Sequence, residues 1–176
     1  YSSGSHVIIS GAISHTQATS LNAVSATYIQ ATVSETTIAN LAAISVDNST
    51  RSSLNKYSFV VSDTSATAAQ LNTANGATTL PVNAAATTGI VATSSFADIN
   101  PLYTAAAAGE ITGLGNEPIT PGVALTVAQA NTVVGFTTGL VTAVISDGDI
   151  ATLSGLVTDY AADGTTVMAN ALTITV

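Results

Sequence analysis

The apolar positions of this chain come in short bursts. Tyr28-Ile29-Gln30-Ala31-Thr32-Val33, Tyr57-Ser58-Phe59-Val60-Val61 and Leu140-Val141-Thr142-Ala143-Val144-Ile145 are β-branched and aromatic, as strands prefer. An aliphatic-Ser-polar step recurs at Ile13-Ser14-His15, Val33-Ser34-Glu35, Val61-Ser62-Asp63 and Ile145-Ser146-Asp147. From 33 to 61 is 28 positions, and from 61 to 145 is 84, three times as many. The intermediate registers fall at Gly89-Ile90 and Glu117-Pro118. After each step comes a short segment at helical spacing, such as Ile38, Leu41 and Ala42, or Ala68, Leu71 and Ala74. The Ser and the acid are expected to cap the helix that follows, because a short oxygen-bearing side chain accepts a free N–H there. The negative charge also suits the helix dipole. Asn75-Gly76, Thr138-Gly139 and Asp163-Gly164 read as terminators.

A second alignment supports a longer unit. Gln17, Gln70 and Gln129 are each followed after 21 residues by Ile38-Ala39-Asn40-Leu41, Val91-Ala92-Thr93-Ser94 and Ile150-Ala151-Thr152-Leu153. The pattern predicts an α/β repeat solenoid of short parallel strands and short helices, about 28 residues per coil. Parallel strands need a crossover, which a short helix supplies, and stacked coils bury one another's apolar faces. An all-β sandwich is the alternative, since strand signals at this spacing could also be strand plus loop. The Ala-rich segments 66–74 and 104–110 favour helices. Residues 99–122, broken by Pro101, Pro118 and Pro121, read as a loop excursion or irregular coil.

Residues 1–6 read as a linker or cloning scar, and 7–176 as one repeat array with approximate units 7–63, 64–122 and 123–176. No basic region followed by an apolar one marks a signal peptide at the start. The strand-like end, Leu172-Thr173-Ile174-Thr175-Val176, suggests a fragment of a longer exported protein.

Composition narrows the function. Arg51 and Lys56 are the only basic residues against ten acidic ones, for a net charge of −8. Charged residues are 7% of the chain, where about a quarter is typical. Thr, Ser, Asn and Gln must therefore wet the surface. Neither a nucleic-acid footprint nor a polybasic patch for anionic lipid is present. No apolar run approaches a membrane span, so no membrane insertion is expected. With no cysteine, disulfides and thiolate chemistry are excluded.

At Thr126-Val127-Ala128-Gln129-Ala130-Asn131, at 137–148 and at Val61–Leu71, the chain resembles the Ala/Thr-rich tandem repeats of giant cell-surface and S-layer-like proteins. These occur in cyanobacteria and other Gram-negative bacteria, and many are exported by type I secretion. The resemblance covers most of 11–99 and 123–176. It implies a secreted or cell-surface location and a structural or adhesive role, with neighbouring repeats or surface-layer subunits as partners. It carries no catalytic residue.

The candidate chemistry is sparse. No catalytic motif is present, so the chain is read as no enzyme. Asp147-Gly148-Asp149 is the best calcium candidate, since calcium wants six to eight oxygens. It lacks the further acid of a full loop, and Asp159 or Asp163 could approach only through the fold. Glu35 and Asp63 are a second candidate pair: on neighbouring in-register strands they would lie about 5 Å apart, where a shared cation would relieve their repulsion. The competing reading of all four acids is a helix-capping turn, with no cofactor. His15 takes the same strand-end slot and reads as a solvated cap; His6 falls in the linker. Tyr28, Tyr57, Tyr103 and Tyr160 with Phe59, Phe96 and Phe136 form either a core or a sugar-stacking platform for a possible glycan. No regular T-x-T column recurs to suit ice. Calcium- or carbohydrate-binding modules and a phage-fibre segment are the alternative functions.

Overall fold

A computed structural model of the chain describes residues 6–22, 28–44, 55–156 and 170–174. Nine strands and six helices are present among them. The strands are β1 (Val7–Ile13), β2 (Ile29–Val33), β3 (Lys56–Val60), β4 (Val82–Asn83), β5 (Ile90–Ser94), β6 (Ile111–Thr112), β7 (Ile119–Pro121), β8 (Thr142–Ile145) and β9 (Ala171–Ile174). The helices are α1 (His15–Leu21), α2 (Ile38–Ala42), α3 (Ala68–Gly76), α4 (Phe96–Ala107), α5 (Val127–Val134) and α6 (Ile150–Leu153).

Every described strand pairing is parallel. One five-stranded sheet runs β1-β2-β3-β4-β6, and the pairs β5-β7 and β8-β9 stand beside it. Single parallel bridges, Ala66 to Ile90 and Ile119 to Val141, extend the second row. Six helices and an all-parallel ladder rule out the all-β sandwich.

Strand alternation places one face inward. On β2, Ile29, Ala31 and Val33 are buried while Gln30 and Thr32 are exposed. Helices α3 and α5 present their first, fourth and seventh residues to the same core, Ala68, Leu71 and Ala74, and Val127, Ala130 and Val133; the shorter α2 presents Ile38 and Leu41, with Ile44 just beyond its end. Alanine at many of these positions lets the helices lie close to the strands, which compensates for the shortage of large side chains. The helix N-caps, Ser14, Thr37, Thr67, Ser95, Thr126 and Asp149, follow one another at intervals of 23, 30, 28, 31 and 23 residues.

Two sequence expectations are corrected. Residues 99–122 are not a loop excursion throughout, because Pro101 lies inside α4, the longest helix. Ser95 caps that helix with a reciprocal bond to Asp98, and Ile99, Leu102 and Tyr103 are buried by it. This burial outweighs the one amide bond that proline removes. The second correction concerns the Ser-acid steps. Only Ser14 caps the helix that follows it directly. Ser34 and Ser62 lie three and five residues before the caps Thr37 and Thr67. Asp163-Gly164, Thr175, Val176 and Arg51 lie outside the described residues.

Candidate functional site

The strand-end acids and serines form a repeated hydrogen-bonding device. Ser34, Ser62 and Ser146 each donate twice to one carbonyl of the preceding unit, through the backbone N–H and the hydroxyl. The acceptors are Ile13, Thr36 and Leu125, at 2.8–2.9 Å from the amides and 3.1–3.2 Å from the hydroxyls. The next residue, or the equivalent strand-end side chain, then caps the first amide of the preceding unit's helix. Glu35 Oε2 accepts from the His15 amide at 2.9 Å, and Asp63 Oδ2 from Ile38 at 2.6 Å. Ser94 Oγ accepts from Ala68 at 2.9 Å, and Asp147 Oδ2 from Val127 at 2.7 Å. Each recipient is the first residue of its helix, whose amide has no intrahelical acceptor. The acids thus cap a helix, as their residue type predicts, but the helix belongs to the unit before.

The helix's own cap covers the third amide. Ser14-Gln17, Thr67-Gln70 and Thr126-Gln129 are reciprocal capping boxes. This explains why the three glutamines align in the sequence: each reaches back to the cap's amide.

His15 is the first residue of α1, and its Nδ1 lies 3.1 Å from Glu35 Oε1. Facing an ionised carboxylate, that nitrogen must carry the proton and donate. The His15 contact, foremost, holds the Glu35 carboxyl below its usual range, with Ser34 and backbone bonds adding to it. Asp149 caps α6 through the Thr152 amide at 2.8 Å, and its bonding to Thr152 lowers its carboxyl too. Among the described residues no three acidic or histidine side chains converge as a metal-binding group. Glu35, Asp63, Asp147 and Asp149 each hold a backbone amide; Asp159 and Asp163 lie outside the described residues.

Other polar groups work in the same way. Thr78 Oγ1 donates to the Tyr57 carbonyl and Thr137 Oγ1 to that of Glu117, both at 2.7 Å. Asn55 and Asn170 accept from the amides of Ile29 and Val141 at 2.9 and 2.8 Å. Glu117, only 1% exposed, is the acid that sequence reasoning passed over. Its carboxylate accepts from the Gly115 and Asn116 amides and from the Tyr103 hydroxyl. Burial, then the neighbouring carboxylate, pushes the Tyr103 hydroxyl well above the usual phenol range. Gly113 lies in the same loop at φ +91°, and a Cβ there would meet the Ala85 backbone at 2.5 Å. Only glycine fits both demands. The Gly113-Leu114-Gly115 segment bends the chain between β6 and β7.

The aromatic residues do not share one surface. Tyr57 and Phe59 are buried, and Tyr103 stacks on Phe136 with centroids 4.9 Å apart. The Tyr28 ring stacks with His6 at 5.2 Å and has the Lys56 ammonium 4.4 Å from its centroid. Tyr160 lies outside the described residues. A groove of about 570 Å³ opens between α3 and α4; its lining is mostly apolar, with Pro101, Ala105 and Ala108, and carries Asn72, Asn75, Asn100 and Glu110 among its polar side chains.

No helix among the described residues is long and apolar enough to cross a membrane. Compared with known proteins, the chain matches no family model, no curated protein and no solved structure.

Proposed function

We propose that this chain is a length of α/β solenoid, about 28 residues per coil, serving as a structural and adhesive repeat of a secreted or cell-surface bacterial protein. One observation carries the reading: the same bond, from a strand-end side chain to the first amide of the preceding helix, recurs at four junctions. Such bonds tie the units of α1, α2, α3 and α5 to the strands that follow them. In an array whose units contact only their neighbours, they are what lets the structure bear load along its length. The polar side chains that would otherwise be candidates for chemistry are spent on these junctions, which favours a spacer or surface-layer building block over an enzyme. The partners in this reading are neighbouring repeats or surface-layer subunits.

Location is tested by labelling intact producing cells with an antibody against the chain. Labelling before permeabilisation supports the reading; labelling only afterwards overturns it. Calcium is not required, because each strand-end acid already has a donor. Millimolar calcium added to metal-stripped protein should leave the melting temperature unchanged, and a rise would give Glu35, Asp63, Asp147 or Asp149 a second duty.

The groove between α3 and α4 favours a second reading, a glycan-binding surface module. A mostly apolar lining edged by the Asn75–Glu110 pair and Asn100 suits the apolar face of a sugar ring with its hydroxyls at the rim. Neutral oligosaccharides titrated into the chain, with and without Asn75→Ala, would decide it. Heat of binding that vanishes in the variant supports the reading, and no heat with either protein removes it.

A further inference from the structure

The groove between α3 and α4 does not stand alone. A second groove of about 340 Å³ is lined by Asn75, Gly76, Thr78, Thr79, Leu80 and Glu110. The two share Asn75, Gly76 and Glu110, so they are lobes of one cleft with the Asn75–Glu110 pair between them. Each lobe has the size of a small-molecule site, roughly 300–1,000 Å³.

The hydrogen-bonding groups of this cleft are unevenly committed. Most of the donors are engaged within the chain. Asn72 Nδ2 donates to the Asp98 carbonyl at 2.8 Å, and Asn75 Nδ2 to Glu110 Oε2 at 3.1 Å. The hydroxyls of Thr78 and Thr104 donate to the carbonyls of Tyr57 and Asn100, at 2.7 and 2.8 Å. The acceptors remain open: among the described residues no donor reaches Glu110 Oε1, Asn72 Oδ1 or Asn75 Oδ1. No lysine, arginine or histidine lines either lobe, so the Glu110 charge meets no counter-charge there.

An ammonium group carries three donors and no acceptor, whereas a carboxylate only accepts. Open acceptor oxygens around one unpaired carboxylate therefore attract the first and repel the second. The apolar lining of Pro101, Ala105 and Ala108 receives the body that carries the ammonium. Two lobes on either side of one anion suit an occupant of repeated units, each with an apolar face and a donor edge. We infer that the cleft takes an oligosaccharide of amino sugars, with one protonated amino group at Glu110 between rings seated in the two lobes. The inference rests on the glycan reading of the groove and narrows it to a cationic sugar.

Titration calorimetry in mildly acidic buffer, where the sugar amine keeps its proton, tests it. The probes are a glucosamine trisaccharide, its N-acetylated counterpart and a plain alkyl diamine. The amino trisaccharide should bind about tenfold or more tightly than the acetylated one, the increment of a hydrogen bond to a charged group. Glu110 is exposed, so Glu110→Gln should erase that preference without moving the melting temperature. Glu35→Gln removes a charge outside the cleft and should leave the preference intact. Loss of the preference there as well would mean diffuse attraction to an acidic chain, and overturns the inference. Equal binding of the two sugars also overturns it while the glycan reading stands, and heat with neither sugar removes both. A diamine that binds as tightly as the amino sugar refutes the inference too, since the rings would then add nothing.

Discussion

A carboxylate at the end of a strand has several possible partners: water, a cation, the helix that follows or a helix in the next layer. Here Asp63 and Asp147 meet the amides of Ile38 and Val127 at 2.6 and 2.7 Å. Removing such a cap costs about 0.5 to 2 kcal/mol. Asp63→Ala and Asp147→Ala should each lower stability in urea by an amount in that range, whereas Asp63→Asn, which keeps an acceptor, should retain part of it. Acid should act through Glu35 and Asp149, whose carboxyls lie below their usual range in the folded chain. Their stabilisation is present above the unfolded carboxylate pKa and is lost as pH falls through the folded value. Melting temperature should therefore drop as pH is lowered below the ordinary carboxylate range. Glu35→Gln should flatten part of that drop, and an unchanged pH profile in the variant would refute the role given to the His15–Glu35 contact.

At the scale of the element, the helices are too short to stand alone. α2 has five residues and α6 four, well below the length at which an isolated helix holds in water. Their ends and their packing decide whether they form. Thr67→Ala removes the cap of α3 and should cost about 1 kcal/mol in unfolding free energy; no measurable loss would mean that packing of Ala68, Leu71 and Ala74 fixes the helix by itself. Shortness also explains what the sequence made legible. The strands at 29–33, 56–60 and 142–145 announce themselves by β-branching and alternation, and α2 and α3 by apolar spacing. β4 and β6, two residues each, have too little pattern to see. Pro101 disguised α4, whose Ser95-Asp98 capping box was the signal that would have revealed it. The glutamine alignment was visible, but a capping box reads as such only once its Ser or Thr is placed three residues before. Glu117 gave no signal, because burial of an acid beside Asn116 and Pro118 depends on Tyr103, which is distant in sequence.

At the scale of the molecule, four strand-end side chains fasten a strand to the helix of the unit before it. The residue types that suggested calcium from sequence alone accept from backbone amides, and which helix end each acid faces is something that sequence spacing does not record. Amide hydrogen exchange followed by NMR reads these fasteners directly. The first amide of a helix has no acceptor within its own helix and exchanges readily unless something outside it supplies one. The amides of His15, Ile38, Ala68 and Val127 should be protected in the native chain, and Asp63→Ala should release that of Ile38 while leaving Val127 protected. Free exchange at all four in the native chain would contradict the bonds between units, and with them the scaffold built from them.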